Sequence, residues 1–554
     1  MPAFLSVSLL LIQALIAFLA FPNPILYRPN PVSALLLPLM GATYFIIFLA
    51  YRGRQVFVWS GLSVVAMVLL PTVHLVHMNF FPVTGVLIWL LVLALSFLLG
   101  GACGYLGSFI YRRLPWAFTL AAPAIICNQE FMRVLLAEHF SLVPPPSLLF
   151  AFPFAGLPPL IQMSAYTGYY GPAFLAFFIS SLLALVALSL LGRLAWFRTH
   201  LPVTQNIPAL APGQRTLTVA VASGTVAVLF ALFMLGNVDA LRVSRLQDQA
   251  RRTLRPALLQ SQFDPSRAKD WSRPQQGFAL RTYRDMSLEA LAQGGQVLVF
   301  TENALPMTLP ADEHAWQNLR TIFKEVGLPA FVGLTTTVEE EQVFNIWYLI
   351  SAQGTVQDYY LKRYLTPFGE YLPLRSLVDP VMTGVNKLLR TSYRVLKITA
   401  IPRDYYDLRA GKQEKIFDVA GARVALKVCT ETIIPRFFRQ AVMQGADVIL
   451  TPRTVNWFKT PVDWYLNLET SAFRAVETRR WIGVVANMGA AATIDALGAV
   501  RSETPYGKRV VAVPTLPLLD GLTFYARFGD VFAWLCVLLT LLLTVVAARR
   551  KTGA

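Results

Sequence analysis

Long apolar runs bracket this chain, and they impose two solvents on one polypeptide. Runs near Ala3 to Phe21, Val32 to Tyr51, Val56 to His77, Thr84 to Tyr111, Trp116 to Ala137, Gly171 to Phe197, Leu217 to Val238 and Thr523 to Ala548 are mostly long enough to cross a hydrocarbon layer about 30 Å thick. With 55% hydrophobic and 14% charged residues, the chain falls outside the ordinary soluble class. Between about Asp239 and Asp520 the composition is instead that of a globular protein, and roughly 280 residues suffice to bury a core of their own. The expected division is a membrane domain of seven spans over residues 1–238, a water-exposed domain over 239–522, and a last span with a short tail over 523–554. The first run lacks a basic flank and more spans follow at once, so it is expected to be retained as a helix.

The arginines orient the spans. Arg52 and Arg54, Arg112 and Arg113, Arg193, Arg198 and Arg215, and Arg549, Arg550 and Lys551 occupy alternate connections, which marks those connections as cytoplasmic. Eight spans then put both ends inside and the large domain outside. The net charge of +17 forms no basic block with interleaved aromatics, so membrane topology and anionic headgroups explain it and no nucleic-acid partner is expected. In the fifth run Glu130 and Arg133 share a helix face, and the plainer expectation is an intrahelical ion pair near the membrane surface.

Within the water-exposed part, short β-rich runs at Gln296 to Thr301, Ala330 to Leu334, Trp347 to Ser351, Arg423 to Val428, Asp447 to Thr451 and Trp481 to Ala486 alternate with helical stretches such as Trp316 to Val326 and Ile434 to Gln444. That alternation predicts layered α/β structure. Of the four cysteines, Cys103, Cys127 and Cys536 lie in apolar runs, which leaves Cys429 alone in the water-exposed part and excludes a disulfide within it. Taken by residue type alone, such a cysteine is a small core residue.

Three polar residues stand at or just beyond strand ends: Glu302 in VFTENALP, Lys362 in YYLKRYLTPFGEYLP and Cys429 in LKVCTETIIP. Singly they read as a helix cap, a solvated strand end and packing. Jointly they suit acyl transfer, because a thiolate is both a good nucleophile and a good leaving group. A thiol with an ordinary pKa of about 8.5 is mostly protonated at neutral pH, so a carboxylate must take its proton or a cation must lower its pKa. Glu302 would be the base, and Lys362 would favour the thiolate and the oxyanion of a tetrahedral intermediate. A turn between a strand and a following helix would also put the sulfur near a helix N-terminus, where negative charge is favoured.

The residue types and their order resemble the Glu, Lys, Cys triad of the nitrilase superfamily. More narrowly, LKRYLTPFGEYLP at Leu361 to Pro373, VCTE at Val428 to Glu431, RAVE at Arg474 to Glu477, ANMG at Ala486 to Gly489 and TFYARFGD at Thr523 to Asp530 resemble the apolipoprotein N-acyltransferase family, the membrane branch of that superfamily. The resemblance covers nearly the whole chain and implies a polytopic helical bundle of about eight spans carrying an α-β-β-α sandwich. It implies that a phospholipid acylates Cys429, and that the acyl chain then passes to the α-amine of the diacylglyceryl-cysteine at the start of an apolipoprotein. It further implies a bacterial inner-membrane location with the sandwich on the periplasmic side. Glu370 would support Lys362 or the intermediate, and Asn345, Glu431, Trp457 and Phe458 would line the site or its lipid entrance. No cofactor and no metal ligand set are expected.

Three positions depart from the family pattern: Thr430 replaces an aromatic, Thr454 to Lys459 replace an Asn-Asp-x-Trp-Phe-Gly run, and FTEN replaces a Trp-Pro-Glu context. A membrane-tethered amidase or hydrolase, a transferase with another amine acceptor, and a silent lipid-binding scaffold therefore stay open. Finally, Leu377, Val381, Val385, Leu388 and Leu389 recur at helical spacing with Lys387 and Arg390 on another face, which suits a helix on the bilayer surface or a flap over the site.

Overall fold

The computed structural model describes residues 3–23, 31–77, 82–140, 149–191, 193–194, 212–263, 273–302, 304–305, 313–337, 342–367, 369–371, 380, 408–455 and 460–550. The segment proposed above as a surface helix or flap lies outside them, as do Trp457 and Phe458.

Among the described residues, seven helices are long and apolar enough to cross a membrane. They are α1 (Ala3–Ala20), α2 (Pro31–Ala50), α4 (Pro82–Arg113), α5 (Phe118–Phe140), α8 (Tyr170–Leu191), α9 (Pro212–Asp248) and α15 (Val531–Arg549). The eighth expected span differs. Its helix α3 (Arg54–Leu69) has 16 residues, and after a turn at Pro71 the chain continues as a 3-10 segment, Val73–His77. Pro71 lacks the amide hydrogen that an α-helix needs, which is why the run does not form one rod. The last run is also divided, into α14 (Phe524–Phe528) and α15, at Gly529 with φ +70°. Lipid exposure is uneven: α4 and α9 present most of their apolar surface outward, whereas α2 and α5 are largely enclosed.

The α/β domain contains two six-stranded sheets. The first has the order β13 (Val510–Ala512), β2 (Pro256–Gln260), β3 (Val297–Val299), β4 (Ala330–Thr337), β5 (Val343–Ile350), β6 (Val356–Leu361). The second has the order β12 (Val500–Glu503), β11 (Ala491–Ile494), β10 (Ile482–Asn487), β9 (Val448–Thr454), β8 (Ala422–Leu426), β7 (Ile416–Val419). In each sheet three strands run parallel, β2-β3-β4 and β8-β9-β10, and the flanking pairs are antiparallel. A further pair joins β1 (Thr253–Leu254) to β14 (Leu516–Pro517).

Period-two alternation sorts the side chains into layers. Leu258, Val297, Val299, Val424, Leu426, Val448 and Leu450 meet between the sheets. Their neighbours Ala257, Leu259 and Leu298 turn outward onto α10 (Arg273–Ala292) and α11 (Glu313–Val326). On the far side Ala425 and Ile449 pack toward α12 (Pro435–Met443) and α13 (Val462–Thr478). The result is an α-β-β-α sandwich, as the resemblance implied.

Helix α13 couples the sandwich to the bundle. Trp464, Leu468 and Ala475 pack in the sheet-side core, while Val462, Leu466, Phe473 and Val476 join the core of the membrane helices, so the helix is apolar on two faces. Polar ties reinforce this seam: Tyr169 N donates to Glu477 Oε1 at 2.8 Å, Gln162 Nε2 to Leu497 O at 2.9 Å, and Arg479 pairs with Asp239 at 3.0 Å. The Glu130–Arg133 pair is looser than expected, at 3.9 Å; Glu130 is buried and accepts instead from Phe150 N at 2.7 Å and Tyr169 Oη at 3.3 Å. It therefore anchors the loop after α5, satisfying a backbone amide that hydrocarbon would leave unpaired.

Candidate active site

Four of the residues singled out in the sequence form one buried polar cluster. Lys362, placed directly after β6, puts Nζ 3.0 Å from Glu302 Oε1 and 2.8 Å from Glu370 Oε2. Asn345 on β5 donates from Nδ2 to the same two carboxylates, at 3.0 Å to Glu302 Oε1 and 2.8 Å to Glu370 Oε1. Glu302, three residues beyond the end of β3, also accepts from the backbone of Thr454 at 3.2 Å, and Glu370 accepts from Thr366 N at 2.7 Å. Lys362 is 1% exposed. Burial alone would lower its pKa, but the two carboxylates outweigh that penalty and hold it well above the usual lysine value, so it stays an ammonium.

Cys429 follows β8 and opens a short 3-10 turn, Cys429–Ile433, with φ +51°. A non-glycine residue with positive φ is strained, and the strain turns the side chain off the strand axis. The expected helix N-terminus is displaced: the α-helix itself starts only at Pro435. Of the two routes to a thiolate, the surroundings of the sulfur favour a base over a depressed pKa. Burial pushes the thiol up to about 12, the Glu302 charge adds to the rise, and Lys362 and Arg453 oppose it without cancelling it. At rest the sulfur is therefore an S–H that needs a base. Cys429 Sγ makes no hydrogen bond among the described residues, although it lies within the electrostatic reach of both Glu302 and Lys362. Resting catalytic contacts are often longer than those in the substrate complex.

Glu431 does not line an entrance. It is fully buried and accepts from Val428 N at 2.7 Å, Arg363 N at 2.6 Å and Tyr360 Oη at 2.7 Å. This carboxylate bolts the strand end carrying Lys362 to the turn carrying Cys429. Thr430, where the family pattern has an aromatic, bonds Thr366 Oγ1 at 3.2 Å and Tyr364 O at 3.3 Å.

Cys429 stands at one end of a cavity of about 550 Å³ that runs between α3, α4 and α5. Its walls include Val64 and Val68 of α3, Ile88, Val92, Leu95 and Leu99 of α4, and Ile125, Met132 and Leu136 of α5. Asn128, Gln129 and Arg133 of α5 also line it, and the sandwich contributes Thr366, Thr430, Arg453, Asp463 and Asn467. The last three were not among the expected site residues. Arg453 had a visible signal, an arginine inside the otherwise buried strand sequence VILTPRT. Among the described residues no group of three or more His, Cys, Asp or Glu side chains is arranged to hold a metal ion.

The family model for carbon-nitrogen hydrolase matches residues 269–520. Among curated proteins, the apolipoprotein N-acyltransferase of Geobacter metallireducens is 28% identical over 417 residues, covering 73% of this chain and 72% of that one. The apolipoprotein N-acyltransferase of Gloeobacter violaceus is 24% identical over 52% of each chain. That of Bordetella bronchiseptica is 31% identical over 206 residues, 36% of this chain and 34% of its own. The chain thus spans about three quarters, half and a third of these relatives. Among solved structures, an amidase from Nesterenkonia sp. is 18% identical, covering 50% of this chain and 95% of that one with a TM-score of 0.33.

Proposed function

Since residues 269–520 form a carbon-nitrogen hydrolase domain mounted on membrane helices, we propose that the protein is an acyltransferase that moves a fatty chain from a phospholipid, through a thioester on Cys429, to the α-amine of an apolipoprotein's diacylglyceryl-cysteine. The observation that carries this reading is the cavity: the sulfur opens onto an apolar channel between membrane helices, with room for a hydrocarbon chain and no need to leave the bilayer. A soluble amide has no use for such walls, whereas a fatty acyl chain is favoured there by about 0.8 kcal/mol per buried methylene. The curated relatives carry the corresponding name.

The chemistry follows from the cluster. Glu302 takes the proton of Cys429 as sulfur attacks the ester carbonyl, and Lys362 stabilises the resulting oxyanion and the thiolate that precedes it. Collapse breaks the ester C–O bond, the proton returns to the departing lysolipid oxygen, and the acyl chain remains on sulfur. In the second half the amine attacks the thioester, sulfur leaves as thiolate, and the proton from nitrogen passes through Glu302 back to it. Glu370 and Asn345 hold the lysine and the base in place, because each bonds to that pair. Glu431 fixes the spacing between the lysine and the nucleophile.

The site faces the extracytoplasmic side of the bacterial inner membrane in this reading. Arg112 donates to Tyr51 O and Arg550 to Arg113 O, so the basic ends of α2, α4 and α15 gather at one end of the bundle. At the opposite end Arg436 of the sandwich pairs with Glu138 of α5 at 2.7 Å. Basic ends stay inside, which leaves the sandwich outside.

The deciding experiment incubates the purified protein with phospholipid and then with a diacylglyceryl-cysteine peptide. An intact-mass shift of one acyl chain, absent in Cys429→Ala, followed by its transfer to the peptide amine, is the expected result. Free fatty acid with no acylated peptide would replace the transferase with a hydrolase.

A further inference from the structure

Arg453 sits at the end of β9, 2% exposed, one residue before the amide that holds Glu302. Its Nε and Nη1 are buried with no hydrogen-bond partner, and its side chain lines the same cavity as Cys429. Asp463, the carboxylate that shares this lining, lies within electrostatic reach of Arg453, which draws its pKa down against burial, but accepts no hydrogen bond from Nε or Nη1. By contrast Lys362, the other buried cation of the site, is flanked by two carboxylates. Buried guanidinium donors left open in a cavity are unfavourable to desolvate, and they mark the place of an anion that arrives with a ligand.

We infer that Arg453 is the receptor for the phosphodiester of the acyl donor, resting on the phospholipid reading above and adding to it the group by which that donor is held. The guanidinium fork matches two phosphate oxygens at once. The placement is consistent with the donor's own geometry: its phosphate lies one glycerol backbone from the ester, and Arg453 lies beside the nucleophile while the apolar walls extend away along α4 and α5. The diacylglyceryl-cysteine acceptor carries no phosphate, so Arg453 serves acylation of Cys429 and not transfer from it.

The test compares wild type with Arg453→Gln and Arg453→Lys, reading thioester formation by intact mass with two donors, a phosphatidyl lipid in vesicles and p-nitrophenyl palmitate, which lacks phosphate. For the phosphatidyl donor Arg453→Gln is expected to raise KM by roughly 10- to 100-fold, the size of a charge-assisted contact, with Arg453→Lys partly restored. Palmitate transfer from the neutral ester should fall by a much smaller factor, the part due to losing a cation that lowers the Cys429 pKa, and release of a preformed acyl group to the peptide amine should change little. Equal slowing with both donors would make Arg453 a thiolate-positioning residue and overturn the inference, as would no change with either. Competition by inorganic phosphate that is indifferent to the donor's own phosphate would reassign the site to a free anion. If wild type itself takes no acyl group from the phosphatidyl lipid, the donor reading fails rather than the role of this residue.

Discussion

The two sheets have the same plan, three parallel strands with antiparallel flanks, yet the groups leaving their strand ends are treated in opposite ways. Glu302, Asn345 and Lys362, from the first sheet, are bonded to one another and to Glu370. Cys429 and Arg453, from the second, leave polar atoms unpartnered toward the cavity. The first set is complete before substrate arrives, so its charges need no reorganisation when an oxyanion forms. The second keeps open donors at the cavity. In the reaction proposed above, one sheet holds the proton and the charge and the other meets the lipid.

That contrast breaks most directly at the nucleophile. Cys429→Ala should remove the acyl-enzyme altogether and cut transfer by roughly 10⁴-fold or more, read as loss of the mass shift and of acylated peptide. Glu302→Gln comes next, with acylation falling by about 10²- to 10⁴-fold. The same variant separates base from charge, because the Glu302 carboxylate raises the thiol pKa: alkylation of Cys429 by iodoacetamide at pH 8 should become faster as turnover collapses. In wild type, with the thiol held up to about 12, alkylation should climb about tenfold per pH unit between roughly pH 7 and 10, without the plateau of an ordinary cysteine near 8.5.

Lys362→Met leaves Glu302 and Glu370 buried without their cation and should destabilise the domain by about 3–5 kcal/mol, seen as a lower thermal midpoint. It also removes an influence that lowers the thiol pKa, so alkylation should slow, the reverse of Glu302→Gln. The mildest change lies in the membrane walls. Leu99→Trp would fill part of the channel and should shift preference toward shorter acyl donors by about 10-fold, measured by competition between chain lengths. Unchanged chain preference would detach the channel from the acyl group.

Much of this architecture could be read from the chain. The strands around Val297, Ile449 and Val484 are buried on both faces and so appear as continuous apolar runs. Glu302 and Lys362 were visible because ionisable residues stand where strands end, and Glu370 only through the resemblance of the segment around it. The interruption after α3 was not inferred, since hydropathy averages across Pro71 and counts Val73–His77 with the helix. Glu431 was named from the resemblance, but what it holds was not legible, because accepting from three backbone amides and a phenol depends on contacts across the fold. The direction of the Cys429 shift was not legible, because burial, a collective property, outweighs the neighbouring cations.

The amino-acid order determined which segments enter lipid, which strands are buried, and which residue types stand at the strand ends, because hydrophobic periodicity and residue chemistry are local. Only the tertiary structure decided that α13 is shared by sandwich and bundle, that Cys429 lines a cavity with α3, α4 and α5, and that Arg453 keeps two donors unpartnered among the described residues. Those depend on distances between residues far apart in the chain, and on how much water folding takes away from each.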